Sequence, residues 1–190
     1  MCYDKFEGKY FKGERNGKGK EYNYDGEFIF EGYYLDGKKY NGINKEYNNN
    51  GKLVSEYEYL NGERNYIITK EYFNDGKLKF KGKHYDGEGK IYFKDGNLEF
   101  EGEFYDGKKW NGKGYDKNKN IVYELKKGKG YNMDYYDNDE LKFEGEYLKG
   151  ERNGKGKEYY ENGNLIFEGE YLNGKRYNGK GKKYNYNNIL

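Results

Sequence analysis

The stretches from Leu141 to Lys157, LKFEGEYLKGERNGKGK, and from Leu165 to Lys182, LIFEGEYLNGKRYNGKGK, are nearly the same sentence written twice. The pattern runs through the chain. With the aromatic residue before Glu-Gly as the phase marker, units begin at Phe6, Phe30, Ser55, Phe80, Phe100, Tyr123, Phe143 and Phe167, spaced 24, 25, 25, 20, 23, 20 and 24 residues apart. A period in the twenties means that each unit is one supersecondary element, unable to bury its own apolar face and obliged to stack on its neighbours. Eight units fill residues 1–190 as a single repeat domain.

Within a unit the pattern alternates with period two. Leu165, Phe167, Gly169 and Tyr171 lie on one face, and Ile166, Glu168 and Glu170 on the other, which is the signature of a strand. A second strand follows a turn signal such as Asn153-Gly154, and further Asx-Gly pairs (Asp25-Gly26, Asn50-Gly51, Asp75-Gly76, Asp95-Gly96) close the hairpins. Such pairs supply the positive φ that two-residue hairpin turns need. Glycines inside the strands, among them Gly8, Gly32, Gly102, Gly145 and Gly169, weaken a strand unless something lies across the bare backbone. Rings from the neighbouring strand are the expected cover. The fold class is therefore all-β: an elongated, single-layer, twisted antiparallel ribbon of about eight tandem hairpins, ~75 Å long at ~4.8 Å per strand. Kinks are expected where the pattern degenerates: Ser55 and Tyr57 in place of Phe and Gly, a shortened unit around Gly87-Glu88-Gly89, and Leu125 in place of Gly.

Composition decides what kind of core this is. Only 33% of residues are hydrophobic, below the ~45–50% of ordinary globular chains, yet 21% are aromatic, with 27 Tyr and 11 Phe. Disordered chains are poor in rings, so this one folds around them. The 36 basic and 34 acidic residues are interspersed, for a net charge of +2. Nucleic-acid binding would call for a basic stripe, and none is present. A single cysteine, Cys2, excludes an intramolecular disulfide and points to a reducing, intracellular setting, either cytoplasmic or within a larger cellular or viral assembly. The first residues carry no signal-peptide pattern, and no apolar run is long enough to span a membrane. Heavy use of Lys, Asn, Tyr, Phe and Ile without Ala or Pro suggests an AT-rich coding genome.

The run from Phe143 to Gly156, FEGEYLKGERNGKG, resembles the membrane occupation and recognition nexus (MORN) repeat: aromatic-Glu-Gly-x-aromatic-x-x-Gly followed by basic-x-Gly-x-Gly. The resemblance extends from Phe6 to Tyr186, cleanly in units one, seven and eight, in a longer-unit variant with an Asn-Gly-x-Leu-x linker. It implies a groove-shaped β-ribbon used for scaffolding, dimerisation and, in some members, association with membrane lipid. Fold alone does not select among these.

The residues offer little to catalysis. His84 is the only histidine and stands in the slot held elsewhere by Tyr10, Tyr34, Tyr59, Phe104, Tyr147 and Tyr171, so it reads as a stacked ring. Ser55 and Thr69 are the only aliphatic hydroxyls, which leaves nucleophilic catalysis almost nothing to build from. The carboxylates recur beside lysines as a solvated face, and Gly17-Lys18-Gly19-Lys20 lacks the Ser/Thr ending of a phosphate loop. No catalytic, cofactor-binding or metal-ligating residue is assigned, and no small-molecule substrate. The expected function is non-enzymatic scaffolding, through a protein partner or self-association, because an uncovered aromatic face would be a large apolar patch. The alternative is peripheral binding to anionic membrane, with Arg15, Arg64, Arg152 and Arg176 meeting headgroups and nearby rings inserting. A weaker third reading has the aromatic groove bind a polysaccharide or peptide. Tyr40, Trp110 and Tyr177, extra aromatics placed in the first turns of units two, five and eight, complete the candidate contacts, as an exposed cation–π stripe or a tuck over the ribbon edge.

Overall fold

A computed structural model describes residues 5–83 and 85–182, with 66–68 described for backbone alone. Cys2 and His84, given readings above, lie outside the described residues. Every regular element among the described residues is a β-strand. The chain divides into two compact units, Met1–His84 and Tyr85–Leu190. The first holds β1 (Lys5–Phe11), β2 (Glu14–Tyr22), β3 (Phe28–Leu35), β4 (Lys38–Tyr47), β5 (Leu53–Leu60), β6 (Glu63–Tyr72) and β7 (Leu78–Gly82). The second holds β8 (Gly87–Tyr92), β9 (Leu98–Tyr105), β10 (Lys108–Tyr115), β11 (Ile121–Leu125), β12 (Gly130–Tyr135), β13 (Leu141–Leu148), β14 (Glu151–Tyr159), β15 (Leu165–Leu172) and β16 (Lys175–Gly181). Within each unit, strands paired in a sheet are neighbours in chain order and antiparallel. This is the all-β hairpin ribbon that the repeat implies.

Two kinds of turn alternate. Lys12-Gly13, Asp36-Gly37, Asn61-Gly62, Asp106-Gly107, Lys149-Gly150 and Asn173-Gly174 have positive φ at both residues, the mark of the tight type I′ hairpin whose twist matches that of its strands. The closing turns are longer. At Tyr24-Asp25-Gly26 only the glycine has positive φ, Gly26 N–H donates to the Asn23 carbonyl at 3.0 Å, and Asn23 N–H donates to the Glu27 carbonyl at 2.9 Å. The Asn23 side-chain oxygen accepts from Asp25 and Glu27 N–H as well. So the Asx-Gly closing pairs are not two-residue turns. Asn153-Gly154 is not a hairpin turn either: it lies inside β14, where Gly145↔Gly156 gives way to Tyr147↔Arg152 and the extra residues bulge. Asn-Gly suits both settings because both need a left-handed residue.

The core is a file of rings. Phe30, Phe100 and Phe143 are fully buried, and Phe80, Phe167, Tyr34 and Tyr171 nearly so. Phenylalanine and tyrosine alternate edge to face: Phe143 meets Tyr147 at 5.6 Å and Tyr171 at 5.1 Å, and Phe167 meets Tyr171 at 5.4 Å. This is the preferred geometry of aromatic pairs. Phe6, Phe30, Phe143 and Phe167 each lie over a pair of glycines, one on the same strand and one on the next. A Cβ on Gly8 or Gly19 would sit 2.5 Å from the Phe6 ring. The cover is thus supplied by the same strand as well as the neighbouring one.

Two of the expected irregularities resolve differently. At β5 no break occurs: Tyr57, two residues beyond Ser55 and on the same face, is itself buried and replaces the missing Phe, with its hydroxyl donating to Glu46 at 2.9 Å. At unit six the sheet does break. Strands β11 and β12 share only an isolated bridge, Lys126↔Lys129, and β12 starts a second sheet, β12 to β16. The two sheets of the second unit meet there around Phe93, whose ring is 5.0 Å from that of Tyr135.

Candidate functional site

The inner face is built from one module used repeatedly. In six of the eight repeats a cation near the start of the second strand lies over the repeat's inner-face ring: Arg15 over Phe6 at 4.5 Å, Lys39 over Phe30 at 5.1 Å, Arg64 over Tyr57 at 3.7 Å, Lys109 over Phe100 at 5.3 Å, Arg152 over Phe143 at 4.0 Å and Arg176 over Phe167 at 5.3 Å. The ring quadrupole attracts these charges, more strongly where water is excluded. A carboxylate then ties successive modules together. Glu158 accepts from Arg152 Nη1 at 3.3 Å, Tyr171 hydroxyl at 3.1 Å and Arg176 Nη2 at 2.8 Å. Glu21 does the same with Arg15, Tyr34 and Lys39 at 2.9, 3.1 and 3.1 Å. Burial opposes the charge on Glu21 and Glu158, but the hydrogen bonds and the cations outweigh it and hold both below the usual carboxylate range. Burial and the Glu158 charge push the Tyr171 hydroxyl up to about 12.

The strongest instance is Lys109, which is nearly buried. Its ammonium reaches Glu99 at 3.2 Å and the Tyr123 hydroxyl at 3.1 Å on its own sheet, and the Met133 carbonyl at 3.4 Å and Asp134 at 3.9 Å on the next. Burial works against its charge, yet Tyr123, Glu99 and Asp134 keep its pKa well above the ordinary lysine value. The ammonium therefore clamps the two sheets of the second unit.

The outer face carries a cross-strand ladder of alternating charge. Glu7, Lys20 and Glu31 stand opposite one another in the first unit, and Glu144, Lys157 and Glu168 in the second. Lys20–Glu31 is 3.2 Å and Lys157–Glu168 is 3.6 Å. Tyr159 and Tyr131 donate to Glu144 at 2.7 and 3.0 Å. Exposed pairs of this kind contribute only a fraction of ~1 kcal/mol each. Beside the ladder, over glycine backbone, runs a shallow groove at matching places: about 370 Å³ between Lys18, Lys20, Glu31 and Tyr33, and about 500 Å³ between Tyr131, Lys155, Glu168 and Glu170.

The type I′ turns form the third surface. Gly37 N–H donates to the Arg15 carbonyl, Gly62 to Tyr40, Gly150 to Gly128 and Gly174 to Arg152, at 2.9 to 3.0 Å, so each of these turns is tied to the chain in or just after the turn before it. The residue just before six of these turns is apolar and exposed: Phe11, Leu35 and Leu60 in the first unit; Tyr105, Leu148 and Leu172 in the second, where Tyr85 before Asp86-Gly87 is exposed as well and Lys126 holds the place before Lys127-Gly128.

The structure brings the arginines nominated from sequence together with rings, and Arg15, Arg152 and Arg176 with carboxylates as well. Arg15, Arg64 and Arg152 are largely covered, and Arg176 is more open. Tyr40, Trp110 and Tyr177 are not in the turns. Each is the extra residue of a bulge, at the register shifts between Tyr33/Tyr34, Lys109/Asn111 and Glu170/Tyr171. Trp110 is tucked, 5.0 Å from Tyr105 and close against Gly128 of the next turn, whereas Tyr177 is exposed. The apolar stripe before the turns was missed from sequence. Its signal was present, since a Leu, Tyr or Phe precedes nearly every such Gly pair.

Fold and surfaces define the class: an all-β tandem hairpin-repeat protein whose rings are shielded by its own cations. No protein-family model and no curated protein sequence matches the chain. Among the described residues no group of His, Cys, Asp and Glu is arranged to hold a metal ion, and no helix is long and apolar enough to cross a membrane.

Proposed function

We propose that the protein is a non-enzymatic scaffold that holds protein partners, itself included, along its repetitive β-surface. The observation that carries this reading is the stripe before the turns. An exposed apolar side chain at one place in successive repeats, two strands or about 9.6 Å apart, is a periodic contact surface on an otherwise charged molecule. The aromatic face, from which sequence argued for association, does not carry it, because beyond β1 most of its rings, Phe30, Phe100 and Phe143 among them, are buried within the chain. The residues resembling the MORN repeat support the same reading. The arginines that membrane binding would use lie over rings, so that alternative gains nothing from the geometry.

A photo-crosslinking residue placed at Leu148 or Leu172, with Glu168 on the ladder as the control, tests it in the native host. Protein adducts concentrated at 148 and 172 are expected. Adducts to lipid, or none at either stripe position, would overturn the proposal, as would full co-flotation with anionic vesicles.

A further inference from the structure

In repeat two the charge pattern of the outer face fails. The slot after the strand glycine holds Lys9, Glu58, Lys83, Glu103, Lys126, Glu146 and Glu170 in the other repeats and Tyr33 here. The residue after the first glycine of the second strand's Gly-x-Gly is Lys18, Glu88, Lys113, Lys155 and Lys180 in five others and, after Gly42, Ile43 here, and in no other repeat are both slots apolar. Tyr33 is 49% exposed, Ile43 44%, Leu35 45% and Leu60 48%. They adjoin one another. Ile43 stands opposite Glu31 and Glu58, so Tyr33 and Leu60, each two residues further along, are its diagonal neighbours.

We infer that this patch is the contact by which a second copy of the chain docks, face to face, about a two-fold axis lying along β4. The inference rests on the scaffold reading and names one partner and one site for it. What favours a second copy is the order of residues across the strands. On one level Lys18 is opposite Tyr33 and Tyr33 is opposite Asn41, while on the far side of β4 Leu60 is opposite Glu63. Rotation about β4 exchanges β3 with β5 and β2 with β6. It lays Tyr33 on the partner's Leu60, Lys18 on the partner's Glu63, and Ile43 on its own symmetry mate. The patch is therefore self-complementary in shape class and in charge, which is what an isologous contact requires. One unfavourable pair is included: Glu31 faces the partner's Glu58, with Glu31 already paired to Lys20 at 3.2 Å. Because the patch occurs once per chain, the contact closes on itself as a dimer. Its footprint over β2–β6, about 20 Å across, falls at the small end of specific interfaces, where association is about micromolar.

Sedimentation velocity on the full chain up to a few hundred micromolar tests this, together with Ile43→Lys, Glu58→Gln and a control, Lys180→Glu, at an exposed position on β16 outside both the stripe and the patch. A reversible dimer is expected, weakened at least about tenfold by Ile43→Lys, tightened by Glu58→Gln and unchanged by Lys180→Glu. In a Cys2→Ser background, Ile43→Cys should form a disulfide dimer on mild oxidation, and Lys180→Cys should not. A wild-type monomer throughout the range, a dimer indifferent to Ile43→Lys, or an Ile43→Cys dimer that does not crosslink would each overturn the inference. Crosslinking of other proteins at Leu148 would in those cases leave the scaffold reading standing, whereas loss of both would remove it.

Discussion

Gly156→Ala tests whether the ring-over-glycine module is what holds a repeat together. A Cβ there would lie 2.6 Å from Phe143 Cζ, 2.8 Å from Cε2 and 3.2 Å from the Glu144 carbonyl oxygen, against an ordinary contact of 3.4 Å or more. The ring cannot retreat, since Phe143 is fully buried between Tyr147, Tyr171 and the Arg152 guanidinium 4.0 Å above it. Overpacking of this kind costs ~1–3 kcal/mol, and a ring walled on three sides belongs at the upper end. Replacing Gly in a strand returns roughly 0.5–1 kcal/mol of backbone entropy, so the net loss should be about 2 kcal/mol. Phe143→Leu removes the atoms that clash. The double variant Gly156→Ala/Phe143→Leu should then be little worse than Phe143→Leu alone, a coupling of about 2 kcal/mol within the range for residues in contact. Urea denaturation followed by circular dichroism, with m-values compared across the cycle, measures it. Gly181→Ala is the control, because its Cβ would meet nothing nearer than 3.7 Å. Additive costs in the cycle, or a Gly156→Ala variant as stable as wild type, would refute the reasoning.

Glu158→Gln should cost about 1–3 kcal/mol at neutral pH, because two guanidiniums and a tyrosine hydroxyl converge on that carboxylate. Its folded pKa lies below the ordinary 4.5, so its contribution is present above that pH and fades as pH falls through the lower folded value. The gap between wild type and Glu158→Gln in an acid titration should close accordingly. Lys109→Met should cost ~3–5 kcal/mol by stripping a buried cation from Glu99 and Asp134, with faster hydrogen exchange in β12 as its local sign. Tyr57→Gly alone should lose ~3–5 kcal/mol, as for other buried rings. Ser55→Phe/Tyr57→Gly, which restores the pattern of the other repeats, should recover most of it in a thermal melt.

Strand alternation and the ring-bearing face were legible because a bulky ring and a bare glycine two residues apart leave one parity only. The turns were less so. Asn153-Gly154 and Lys149-Gly150 both place glycine in the left-handed region, and local sequence does not say which of the two reverses the chain and which bulges within it. The cations were visible as charges but not as caps. Lys39 to Gly42 is an odd step along β4, and strict alternation would put Lys39 and Gly42 on opposite faces. The bulge at Tyr40 absorbs the extra residue and returns Lys39 to the ring of Phe30. Trp110 and Tyr177 correct parity in the same way for Lys109 and Arg176. Their aromatic character suggested contact, whereas their position in the ladder gives them a register role first.

Departures from the repeat therefore fall into two kinds, and the difference bears on function. Ser55 with Tyr57, and each inserted aromatic with its cation, are compensated: a second residue restores the ring file or the cap, and packing within the chain accounts for both members. Tyr33 with Ile43 is uncompensated. No inner-face contact depends on either residue, their slots elsewhere are filled mostly by charges that suit solvent, and leaving them about half exposed forgoes most of the stabilisation that burial of such side chains gives, about 1.5–3 kcal/mol each. A core that shields itself with its own cations has no need of a partner to cover its rings. The reason for an uncompensated apolar pair must then be sought outside the folded chain, on the outer face, where the repeat stops repeating.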